Sequence, residues 1–109
     1  MATPFERLQH IGPDRAERLF RALKRLSNTD GYVFAIPTAI IKKAGMHAHD
    51  LPTDQALDRW HLLAFLSALI ELKVVEEHKY HGRPGEHVYK LLTDKFDTTA
   101  YTAHVSSLR

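Results

Sequence analysis

Apolar residues first recur at three- and four-residue steps. Ala16, Leu19, Phe20, Leu23 and Leu26 place one apolar stripe on a helix over residues 13–27. Ahead of it, Thr3-Pro4-Phe5-Glu6 reads as a helix start: Thr3 can cap, Pro4 suits the first helical position, and Glu6 completes a capping box. Gly12-Pro13 ends that short helix and opens the next, since Gly tolerates the left-handed conformation and Pro fits a first turn. The turn residues at 27–31 lead into Tyr32-Val33-Phe34-Ala35-Ile36, an aromatic and β-branched run that predicts a strand ending at Pro37. Thr38 is positioned to cap a two-turn helix over 39–44 with Ile40, Ile41 and Ala44 inward, closed by Gly45.

The longest predicted helix covers 53–72. Thr53 serves as its cap, Asp54 sits in its first turn, and Leu57, Trp60, Leu63, Leu66 and Leu69 form its core stripe. Leu62, Phe65, Ile70 and Leu72 widen that stripe. The half from residue 62 onward is therefore apolar over most of its circumference, as in a helix buried on more than one side, part of it against a partner subunit. A hairpin follows over 73–80 and 87–92, turning at Gly82-Arg83-Pro84-Gly85, where Pro-Gly suits the centre of a type II turn. Residues 97–108 carry Ala100, Tyr101, His104, Val105 and Leu108 at helical spacing. They are rich in Thr and Ser, so a terminal helix here needs tertiary or dimer contacts.

The expected class is α+β, mainly α, in a single domain: a core over 13–95, an N-terminal helical extension over 1–12 and a C-terminal extension over 96–109. The composition fits, with 44% hydrophobic and 26% charged residues. A net charge of +2 and a pI near 9.0 permit a nucleic-acid partner without requiring one. The absence of Cys removes disulfides, thiolate zinc sites and Cys nucleophiles. No run approaches the roughly 20 apolar residues of a membrane span, and no signal-peptide pattern opens the chain. A cytoplasmic protein is expected.

The order helix, short strand, short helix, long helix, hairpin resembles the winged helix-turn-helix superfamily. Thr38-Ala39-Ile40-Ile41-Lys42-Lys43-Ala44-Gly45 looks like the first helix of a helix-turn-helix. Leu66-Ser67-Ala68-Leu69-Ile70-Glu71-Leu72-Lys73-Val74-Val75-Glu76 is similar to the passage from recognition helix to wing, with Lys73 where Gly is usual. Val88-Tyr89-Lys90-Leu91-Leu92-Thr93-Asp94-Lys95 is similar to the exit from the wing, with an extra Leu and with Phe96 where Gly is usual. Over a dozen residues, 8–19 also resemble a helix-hairpin-helix, whose backbone amides hold a DNA phosphate. His10 replaces that family's first Gly, and a simple Gly-Pro corner accounts for the same residues.

The winged-helix resemblance implies double-stranded DNA as partner, with the long helix in the major groove and the wing on the backbone or minor groove. On that footing Gln55 and Arg59 are the base readers, for adenine and guanine, with His61 beside them. Lys79, His81 and Arg83 grip from the wing, and Thr38, Lys42 and Lys43 contact phosphate together with the basic face of the 13–27 helix. The expected role is a small, homodimeric transcriptional regulator or a plasmid- or phage-type DNA-binding factor. A protein-interaction adaptor is the competing class, because Asp54 and Asp58 on the reading edge would be repelled by phosphate. A His-based metal-responsive regulator is a third, drawing on His47, His49 and Asp50 or on His78, His81 and His87, although neither set has the helical spacing of a known metal motif. No nucleophile motif, phosphate-binding Gly loop or paired-carboxylate constellation points to an enzyme, and no cofactor is expected.

Overall fold

Helix α1 (Pro4–Leu26) is two helical segments joined at a kink. Gly12 takes φ 75°, ψ 166°, a conformation open to Gly and almost nothing else. Thr3 caps the first segment, its hydroxyl accepting from the Glu6 amide at 3.2 Å. At the kink the first segment loses its normal helical donors, partly because Pro13 has no N–H. Side chains supply replacements. Arg15 donates from Nε to the Ile11 carbonyl at 3.0 Å and from Nη2 to the His10 carbonyl. Tyr101 donates its hydroxyl to the Leu8 carbonyl at 3.1 Å. The Gly-Pro corner expected from the sequence is thus a built joint.

The computed structural model describes residues 2–79 and 87–109. Among them the protein is α+β and mainly helical: four helices and a three-stranded antiparallel sheet. After α1 come β1 (Tyr32–Val33), α2 (Pro37–Lys43), α3 (Arg59–Glu71), β2 (Val75–Lys79), β3 (His87–Leu91) and α4 (Thr98–Ser107). The sheet order is β1-β3-β2, with Tyr32 opposite Lys90 and Lys90 opposite Glu76.

Three element boundaries depart from expectation. The strand stops at Val33 rather than Ile36, and Phe34 and Ile36 are exposed. Pro37 is the first residue of α2, so Thr38 lies inside the first turn; the capping position is Ile36, which makes no side-chain cap. The third difference is the largest. The helix predicted over 53–72 begins only at Arg59, with Asp58 rather than Thr53 as its cap. Residues 44–58 instead form a connection of short turns, with Leu51 and Gln55 amides donating to the His47 and Pro52 carbonyls. Met46 and Leu57 drop from this connection into the core, tied by the Leu57 amide donating to the Met46 carbonyl at 2.9 Å. Burying these two side chains ends the helical register that periodicity alone would extend backwards.

Helix α3 closes in a Schellman arrangement: the Lys73 amide donates to Ile70 and the Val74 amide to Leu69. Lys73 adopts φ 60° to do so, the conformation for which the resembled passage carries Gly. Phe96, at the other departure from that pattern, joins an aromatic cluster. Its ring centroid lies 5.5 Å from Phe20, 6.4 Å from Phe65 and 5.6 Å from Tyr101.

Helix α4, poor in intrinsic propensity, is held by Asp97 capping the Ala100 amide at 3.0 Å and by tertiary contact. Tyr101 and Val105 pack with Leu8 and Ile11 in the same core cluster as α1, α2 and α3. Burial pushes the Tyr101 phenol well above its ordinary pKa, keeping it a neutral donor. Both flanking segments therefore contribute to one core. No helix among the described residues is long and apolar enough to cross a membrane.

Candidate interaction surface of helix α3

The start of α3 is built around Asp58. Its carboxylate accepts from the His61 amide at 3.0 Å, and the His61 ring turns back so that Nδ1 lies 2.8 Å from Asp58 Oδ1 and 3.2 Å from the Asp58 amide. Unprotonated, Nδ1 accepts from that amide; protonated, it donates to the carboxylate. Burial would raise the Asp58 carboxyl, but the His61 amide, the His61 ring and the Trp60 amide outweigh it and hold the group below its usual value. The His61 ring also lies 5.0 Å from that of His10. Burial, then the neighbouring Arg15 and His61 side chains, lower the His10 pKa against the opposing pull of Asp54 and Asp58.

These contacts relocate the expected base readers. His61 is committed to its cap and is not displayed toward a groove. Gln55 is not on the helix at all; it lies in the preceding connection, where its carbonyl accepts from Arg15 Nη1 at 2.5 Å. Asp58 is a cap rather than a reading-edge acid. Arg59 is the first residue of α3, and its guanidinium stacks 5.3 Å above the Trp60 ring.

Trp60 itself is a correction. The sequence placed it in the core stripe; it is 54% exposed. A series at strict three-residue steps drifts by roughly 60° at each step and cannot stay on one face. The buried face is Leu62, Phe65, Leu66, Ala68 and Leu69, a true three- and four-residue pattern, and Leu63 is only half-buried. Trp60, Ala64, Ser67 and Glu71 fall on the opposite side within an arc of about 60°. Ser67 and Glu71 are exposed, while Ala64 is half-exposed and packs in part against the core. The drift of the Leu series was the signal in the sequence that could have found this face.

The other candidates are dispersed. Lys42 and Lys43 are exposed in the last turn of α2, and Arg18 Nη2 donates to the neighbouring Ala44 carbonyl at 3.3 Å. Thr38 is half-buried at the other end of α2. The basic face of α1 is divided: Arg21 pairs with Glu17 at 3.3 Å, while Lys24 donates to the Asp94 carbonyl at 2.8 Å. Lys79 ends β2. His81 and Arg83, with the turn at Gly82-Arg83-Pro84-Gly85, lie outside the described residues.

His47 and His49 stack at 4.8 Å, but no group of three or more His, Cys, Asp or Glu that could hold a metal occurs among the described residues. The outer face of the sheet carries Tyr32 beneath Lys90 at 5.4 Å, edge-on to His78 at 5.5 Å. Between α1 and α4 a depression of about 170 Å³ is lined by Phe5, Leu8, Tyr101 and Val105, with Arg109 over the Phe5 ring. Compared with known proteins, the chain matches no family model, no curated protein and no solved structure.

Proposed function

We propose that the chain is a winged-helix-type protein whose α3 serves protein association rather than base reading. Element order and the β1-β3-β2 sheet are compatible with a winged helix. The observation that carries the reading is the outward line of α3. Trp60, Ala64, Ser67 and Glu71 include neither an amide nor a basic side chain, and the one adjacent base reader, Arg59, is stacked on Trp60. The bidentate contacts that discriminate bases most strongly come from Arg, Lys, Asn and Gln, whereas Ser, Glu and Ala make only single or apolar contacts. An exposed Trp with an Arg beside it is instead the composition of an interface anchor. The connection 44–58 also replaces the three- or four-residue turn that fixes the two helices of a DNA-reading helix-turn-helix.

A second reading rests on the exposed Lys42 and Lys43 beside Arg18: contact with nucleic-acid phosphate, without sequence preference. One experiment addresses both. Selection from random duplex DNA, followed by anisotropy titration across salt, is expected to enrich no sequence. Any residual binding should fall steeply with salt and weaken on Lys42→Glu and Lys43→Glu but not on Trp60→Ala. Enrichment of a defined site that depends on Arg59 would overturn the protein-association reading in favour of DNA recognition.

A further inference from the structure

The outward line of α3, exposed at Trp60, Ser67 and Glu71 and half-exposed at Ala64, has an internal symmetry. Positions 60, 64, 67 and 71 are spaced four, three and four residues apart, the spacing of the seam in a two-stranded coiled coil. The spacing reads the same in both directions. An antiparallel copy of α3, related by a two-fold axis, would set Trp60 against Glu71 of the second copy and Ala64 against Ser67, with each contact repeated across the axis.

The side chains suit those positions. Ala64 and Ser67 at the centre are small, so two helix axes can approach toward the 8 Å end of the usual range. Trp60 at each end supplies the large apolar surface; being 54% exposed, it has roughly half of the 150–250 Å² of such a side chain still to bury. Stacking holds the Arg59 guanidinium over Trp60 and so onto the face that meets Glu71 of the second copy. Charges at the two ends of α3 are opposite, Arg59 at the start and Glu71 at the end, and an antiparallel pair matches them twice. A parallel pair would set like against like.

Resting on the protein-association reading above, we infer that α3 pairs antiparallel with α3 of a second copy of this chain, Trp60 and Arg59 of each docking against Glu71 of the other. The helix is 13 residues long, about 20 Å, so the contact is well below the roughly 800 Å² per partner of a standard interface. The dimer is accordingly of the weak, transient class, and it covers the surface a recognition helix would need.

Charge reversal tests the geometry without unfolding the helix. Glu at position 59 and Arg at position 71 both agree with the helix dipole, so neither reversal should disturb α3 in the monomer, and circular dichroism and the melting temperature monitor this. Sedimentation equilibrium of the full chain from micromolar to millimolar concentration gives the dimer constant. Arg59→Glu alone and Glu71→Arg alone should each weaken association on the order of ten-fold, by placing like charges together twice. The double variant Arg59→Glu/Glu71→Arg should recover most of the lost association, stopping short of the wild-type constant because Glu at position 59 cannot stack on Trp60. Trp60 is the only Trp in the chain, so its emission should shift to shorter wavelength over the same concentration range.

A double variant as weak as the singles would overturn the antiparallel pairing. A wild-type chain that stays monomeric at millimolar concentration would overturn the second copy as occupant. These failures differ from failure of the underlying reading, which would appear as sequence-selective DNA binding that depends on Arg59.

Discussion

Lys73 is the one described non-glycine residue with positive φ, so replacing it with Gly should relieve backbone strain at the end of α3. At φ 60° it follows the last turn of α3, and its amide and that of Val74 satisfy the Ile70 and Leu69 carbonyls. A Cβ in the left-handed region costs roughly 1–2 kcal/mol, which Gly would remove. Gly also gains conformational freedom in the unfolded chain, opposing this by about 0.4–1 kcal/mol. Replacing Lys additionally removes a cation from a helix C-terminus. The clean comparison is therefore Lys73→Gly against Lys73→Ala, in which the lost charge cancels. Gly should be the more stable by about 0.5–1 kcal/mol, or roughly 2–5 °C in Tm. Urea denaturation with a common m-value, checked by calorimetry, measures the difference. If Lys73→Gly is equal to or less stable than Lys73→Ala, the left-handed cap is not a source of strain.

The joint in α1 yields two further expectations. A Cβ at Gly12 would meet no atom within 4 Å, so Gly12→Ala reports backbone strain alone and should cost about 1–3 kcal/mol in denaturation experiments; a neutral result would refute the kinked geometry. Arg15 serves three carbonyls, those of Ile11, His10 and Gln55, with a planar fork that Lys cannot reproduce. Arg15→Lys should therefore lose about 1–2 kcal/mol although it keeps the charge, and stability indistinguishable from wild type would show the fork to be dispensable. The fourth expectation concerns pH. Asp58 has a folded pKa below its ordinary value of 3.8, so the unfolded chain takes up a proton more readily. Its stabilising contribution is full above about pH 4 and is lost as pH falls through the lowered folded value. Asp58→Asn retains a capping oxygen and should flatten part of the acid limb of a stability profile; an unchanged limb would remove Asp58 from the account.

Local chemistry made much of the fold legible in the sequence. Thr3-Pro4, Gly12-Pro13 and Gly45 each act through neighbours a few residues away, and the paired strands β2 and β3 through partners 8 to 16 residues away; each appears at or near its expected place. The stripe of Ala16, Leu19, Phe20 and Leu23 is buried because four apolar residues at helical spacing have one way to leave water together. The candidate site was less legible. Thr53 and Asp58 are both competent caps, and the choice between them depends on whether Met46 and Leu57 can reach the core. That is a matter of chain path and packing rather than of propensity.

Sequence by itself determined the class of elements, their order and the polar or apolar character of each helix, because those follow from spacing and backbone preference. Only the tertiary structure decided which side of α3 faces water. A helix apolar over most of its circumference has no preferred inward face until its neighbours are placed, and α1, α2 and β2 take the side carrying Leu62, Phe65, Leu66 and Leu69. That packing moves Trp60 from presumed core to surface and leaves Gln55 on the connection ahead of the helix. It thereby turns a line of four residues, Trp60, Ala64, Ser67 and Glu71, into the surface on which the functional proposal rests.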